Sequence, residues 1–290
     1  MTNVGVCCPG GGAFCAGQAG GLKALYEWLT VRGIRPLAVR GASGGDLNSP
    51  MFVQAWADGG ESIVAMEELW KSITHRQVHT SIPHIYPRTT GIWKLTPLLR
   101  LLQERVDPLK LMQSGIDYKT KATKYGHGDG IEIGPENEHF HQMLVASASF
   151  PVAFKPVKIA GEFYADAGIA ANLPLARLIQ AGCDNIFIVR TDPRRDKTLT
   201  KRDLRLFRTL GHVISEMMEA NINLQIHEIE YINEQVRAGS VTNKREIKLI
   251  ELCPDVTHQR HVMDFNGTRC GRSFDAGYRS ARRILVGLQP

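Results

Sequence analysis

Gly41-Ala42-Ser43-Gly44-Gly45 has the form G-x-S-x-G, the sharp strand-to-helix turn that lifts a serine hydroxyl above a sheet. Small residues are required because such a turn crowds the backbone, and glycine adopts dihedrals that other residues avoid. A helix starting at the turn would aim its positive end at Ser43, favouring negative charge there. Gly10-Gly11-Gly12 is a second piece. Three glycines in a row expose backbone N–H groups that can cradle a phosphate, a dinucleotide or the oxyanion of an acyl intermediate. The letters weigh against the first two. Gly12 and Gly17 have Walker A spacing, but Gln18 and Ala19 follow where Lys and Ser or Thr are needed. The dinucleotide pattern G-x-G-x-x-G fails at Cys15. An oxyanion loop gains weight, with the serine only 31 residues beyond Gly12. The third piece is Asp166-Ala167-Gly168, in the stretch Tyr164 to Gly168 and followed by Asn172-Leu173-Pro174-Leu175. Alone, Asp166 reads as a turn aspartate bonding nearby amides. Between small residues, an aspartate also suits a buried or pocket-lining carboxylate at a strand end.

These residues need elements to hold them. Val4 to Cys8 is a short apolar run ending at Pro9, and Ala13 to Trp28 carries small and apolar residues at helical spacing. Leu37-Ala38-Val39 predicts a second buried strand, broken by Gly41, and a helix from about Gly44 to Trp56 that tolerates Pro50 near its first turns. Strand and helix alternation of this kind predicts a mainly parallel sheet with helices on both faces. Leu95 to Leu111 predicts one helix. The rest of 59–130, rich in His, Pro, Thr and Gly, predicts helices and connections over one end of the sheet. Ile186 to Val189 and Ile247 to Ile250 predict strands. Between them, apolar residues from Ile214 to Val236 recur every three or four positions, as in one long amphipathic helix or two joined. No repeat or linker interrupts the 290 residues, which predicts a single domain, 1–290.

The composition, 43% hydrophobic and 22% charged, is that of a globular protein and excludes a disordered chain. No apolar run approaches the roughly 20 residues of a membrane span, and the start of the chain does not read as a signal peptide. A cytoplasmic location is the expectation. Six scattered cysteines without a C-x-x-C pair argue against a zinc site or a disulfide framework. No metal and no cofactor are expected. The net charge of +6 fits weak attraction to anionic membranes or nucleic acid without choosing between them.

Taken in order, Gly10-Gly11-Gly12, Gly41 to Gly45 and Asp166-Ala167-Gly168 resemble the oxyanion loop, nucleophile motif and D-G-[GA] motif of patatin-like phospholipases. Ala148 to Pro156 is similar to the family segment that precedes the catalytic aspartate, and Phe274 to Leu285, with Gly277-Tyr278, to its closing helix. The resemblance implies a three-layer α/β/α sandwich and a Ser-Asp dyad acting on acyl esters of phospholipids, lysophospholipids or neutral lipids without a metal. It also implies Ser43 as nucleophile, Asp166 as base, and an oxyanion hole at Gly10, Gly11 and Gly12. The chain departs from the family pattern at Phe14 and Cys15, where many relatives carry a basic residue and a glycine. Three other schemes compete. A Ser-Asp-His triad would draw on His258 or His261, but only about two strands fit before Ser43, too few for that fold. A non-catalytic lipid-binding module would have no need of both Ser43 and Asp166. Cys15 as a nucleophile has no histidine at a telling spacing. Arg194 to Arg208 sets seven basic residues against two aspartates around Leu204, Leu206 and Phe207. That pattern suits peripheral contact with anionic membranes. No motif for nucleic acid accompanies the charge, and oligomeric state is left open.

Overall fold

The computed structural model describes residues 1–81, 91–127, 130–168, 173–192 and 206–288. Strand β1 (Val4–Cys8) leads through the glycine turn into α1 (Cys15–Val31), and β2 (Ala38–Gly41) leads into α2 (Gly45–Gln54). There follow α3 (Glu61–Ser72), α4 (His75–Val78), β3 (Thr80–Ser81), β4 (Gly91–Lys94), α5 (Thr96–Arg105) and α6 (Pro108–Gln113). The middle of the chain supplies β5 (Asp117–Lys124), β6 (Gly130–Ile133), α7 (Phe140–Ser147), β7 (Val152–Phe154), β8 (Val157–Ile159) and β9 (Glu162–Ala165). It closes with α8 (Leu175–Gln180), β10 (Asn185–Val189), α9 (Leu206–Arg237), β11 (Lys248–Leu252) and α10 (Gly267–Gly287).

The main sheet runs β11-β10-β1-β2-β5-β9-β8, with β6 also paired to β5. Its first five strands are all parallel; β6, β8 and β9 pair antiparallel. A smaller sheet joins β3, β4 and β7. Strand alternation explains the layering. Val4, Val6, Cys8, Phe187 and Val189 face a core shared with α1, α2, α3 and α10. Cys7, Ile186 and Ile188 face the opposite core, against Leu175 and Leu178 of α8 and Ile222, Ile226 and Ile229 of α9. This is the expected α/β/α sandwich. The chain leaves β1 toward β2 on one side and later adds β10 on the other, and such a switch point opens a crevice at the carboxyl ends of the strands. Among the described residues, no helix is long and apolar enough to cross a membrane.

Two sequence expectations need correction. Leu95 to Leu111 is not one helix but α5 and α6, because Pro108 lacks an N–H to continue the first and Asp107 caps the second by accepting from Leu109 N at 2.9 Å. The region 59–130 is more than a cover over one end: β5 lies inside the sheet beside β2, and α3 packs into the same core as α1 and α10.

Candidate functional site

Both glycine-containing turns lie at the carboxyl ends of neighbouring parallel strands. β1 ends at Cys8 opposite Gly41, the end of β2, and Ala42 N donates to Cys8 O across the gap. The serine turn is tight enough to dictate its neighbours. A Cβ on Gly45 would lie 2.0 Å from Cys8 O. One on Gly41 would lie 2.2 Å from Asp46 Oδ1, and one on Gly44 2.9 Å from Gly12 N. Ser43 itself has φ +52°, a left-handed conformation that an L-residue holds only when its surroundings enforce it. Gly12 also sits at φ +54°, and a Cβ there would come 2.3 Å from Val262 O. Val262 O accepts instead from Ala13 N at 2.7 Å, so the segment before α10 fastens the glycine turn.

Ser43 Oγ donates to Asp166 Oδ2 at 2.6 Å, joining residues 123 apart in the chain. The two differ in access: Ser43 keeps 8% of its surface exposed and Asp166 none. The other carboxylate oxygen of Asp166 accepts from Gly168 N at 2.7 Å. One oxygen of Asp166 thus makes the local turn bond to an amide, and the other meets the Ser43 hydroxyl. Burial pushes its carboxyl up to about 7, against hydrogen bonds from Ser43 and Gly168; the nearby carboxylate of Asp46 adds to the rise. The end of α7 clamps it: Asp166 N donates to Ser149 O and Ala167 N to Ser147 O.

Gly10 and Gly11 are buried and Gly12 half-buried. Cys15 is buried beside them. Burial holds its thiol far above the ordinary range, while a hydrogen bond from the Gly11 amide pulls the other way. Phe14, at the position that is basic in many relatives, is buried as well. Gln18 fixes the start of the turn, donating to Pro9 O and Val189 O at 2.9 Å each, and Asn48 and Trp70 extend that buried chain. His258 donates its backbone N–H to Ser273 Oγ, and His261 Nδ1 accepts from Met263 N. Asn172 and residues 194–205 lie outside the described residues.

Sequence reasoning missed Asp46. It is fully buried and accepts from Ser49, Tyr118, Thr120 and Ser147, while Ser147 Oγ in turn accepts from Ser43 N at 3.1 Å. Asp46 stands in the first turn of α2, where an acidic residue is ordinary.

A doubly wound α/β/α protein with a serine elbow and a glycine turn side by side at its strand ends is of the class that binds ligands at that edge. The sequence matches the family model for patatin-like phospholipase over residues 6–179, more than half of its length, and the chain belongs to that family. Members of the family are generally hydrolases acting on lipid esters. Among solved structures, VipD from Legionella pneumophila is 14% identical with a TM-score of 0.39; the match covers 98% of this chain and 66% of that one. No curated protein matches the chain.

Proposed function

We propose that the chain is a serine acyl hydrolase that cleaves carboxylic esters of lipids, with Ser43 as nucleophile and Asp166 as base. The observation that carries this is the 2.6 Å hydrogen bond from Ser43 Oγ to a fully buried carboxylate held near pKa 7. An ordinary aspartate is too weak a base for a serine hydroxyl, and a raised one is closer to the task. Ser43 Oγ attacks the ester carbonyl as its proton passes to Asp166 Oδ2. The tetrahedral oxyanion takes hydrogen bonds from the glycine turn. The donors are the backbone amides of Gly11 and Gly12. Collapse expels the alcohol, which leaves with the proton from Asp166. Water then gives its proton to Asp166 and attacks the acyl-enzyme, releasing the fatty acid and restoring Ser43. Substrates are phospholipids, lysophospholipids or neutral lipid esters, and the basic segment Arg194 to Arg208 helps the protein reach anionic lipid surfaces.

The test is a fluorophosphonate probe followed by mapping of the labelled peptide. Labelling at Ser43, lost together with ester hydrolysis in Ser43→Ala, is the expected result. Labelling elsewhere, or hydrolysis that survives the substitution, overturns the assignment.

A further inference from the structure

We propose that Asp46 is a positioning residue for the Ser43–Asp166 pair, acting through the Ser147 hydroxyl; this rests on the function proposed above. The geometry fixes the direction of every proton involved. Asp46 Oδ1 accepts from Ser49 Oγ at 3.1 Å and Tyr118 OH at 3.0 Å. Its Oδ2 accepts from Thr120 Oγ1 at 2.7 Å and Ser147 Oγ at 2.6 Å. Four donors fill the acceptor capacity of an ionised carboxylate. A serine hydroxyl has one proton, and Ser147 gives it to Asp46. Its oxygen is therefore left as an acceptor, and it takes the Ser43 N–H at 3.1 Å. That bond holds the backbone of Ser43 in its left-handed conformation. The same residue reaches the other half of the pair, because Ser147 O accepts from Ala167 N, next to Asp166. One serine thus ties the nucleophile turn to the aspartate turn, and Asp46 sets its polarity.

Asp46 also acts by charge. Its carboxylate is close enough to Asp166 to disfavour a second negative charge there. The other titratable groups that face it are Tyr118 on β5, Cys8 on β1 and Cys15 on α1, all held well above their ordinary values by burial. Burial raises the carboxyl of Asp46 itself, and the hydrogen bonds from Ser147, Thr120, Tyr118 and Ser49 oppose that rise by favouring its ionised form. The need for Asp46 also explains Gly41, since any side chain there would collide with the Asp46 carboxylate and Ser49 Oγ.

The experiment compares the full chain with Asp46→Asn and Ser147→Ala, measuring the rate constant of fluorophosphonate labelling from pH 5 to 9. Melting curves establish the folded fraction. Ser147→Ala should slow labelling about tenfold, the worth of one hydrogen bond, with its pH midpoint unmoved. Asp46→Asn should slow it similarly and move the midpoint to lower pH, because a negative neighbour has gone. A purely structural role would lower the labelled fraction while leaving the rate constant and midpoint of the folded protein unchanged, and that result overturns the proposal. If Asp46→Asn does not fold, Ser147→Ala decides alone: a rate equal to wild type refutes the link. Labelling that persists in Ser43→Ala refutes instead the function on which the inference rests.

Discussion

Asp166 should make the protein less stable at the pH where it is proposed to work. Its carboxyl stands at about 7 in the folded chain against 3.8 for an ordinary aspartate. Between those values the unfolded chain has released the proton while the folded chain keeps it, so stability falls as pH rises through the window. Above about pH 7 both states are ionised and the loss is complete; below about pH 4 both are protonated and it vanishes. At 1.36 kcal/mol for each tenfold change in proton affinity, the full cost is about 4 kcal/mol. Asp166→Asn removes it. The amide can still accept from Gly168 N through its oxygen, and its NH2 can donate to Ser43 Oγ, so both contacts of the native residue survive. Unfolding entropy near 2.1 cal/mol/K per residue over 290 residues converts about 4 kcal/mol into a rise of about 7 °C in melting temperature.

The assay is calorimetric melting of wild type and Asp166→Asn from pH 4 to 9, since the difference between the two isolates this group from all other titrations. The variant should gain on the wild type progressively between pH 4 and 7 and hold a constant lead above that, while losing most ester hydrolysis. Stability gained with activity lost is the mark of a strained functional group. A difference that does not change with pH, or a variant less stable at pH 8, would refute the raised carboxyl and with it the argument for Asp166 as an effective base.

Gly12→Ala should lower the rate of ester hydrolysis by about 10²–10³, the worth of an oxyanion donor, because a Cβ there meets Val262 O at 2.3 Å and the turn must move; steady-state kinetics with p-nitrophenyl esters check it. His258→Ala and His261→Ala should keep most of the hydrolysis rate, since the His258 bond to Ser273 uses only backbone and that of His261 is local; a loss as deep as that of Asp166→Asn would move the enzyme to the triad class. Sedimentation with liposomes should show binding that grows with anionic lipid and falls with salt, at about 1 kcal/mol per basic residue near the surface. Changing Arg202, Arg205 and Arg208 to glutamate should abolish it, and indifference to lipid charge and salt would exclude the docking role.

The parts of this protein that were legible in its sequence are those whose signal is local. β1 and β10 are apolar runs because both of their faces are buried, and the turn after β2 needs small residues wherever it occurs. β5 was not legible. Its buried face presents Tyr118 and Thr120, which read as polar and so as loop. They are buried because their hydroxyls are spent on Asp46. Asp46 was hidden for the reciprocal reason: an acid in the first turn of a helix is ordinary, and nothing within the motif announces that its partners lie 72, 74 and 101 residues away. The split of 95–111 into two helices was, by contrast, written in Asp107-Pro108 and needed only the capping rule. What escaped was thus a polar cluster that is satisfied only within itself. Asp46 reads as an ordinary first-turn acid and Tyr118 and Thr120 as loop residues, and only their contacts with one another account for a polar strand inside the sheet and for the glycine at position 41.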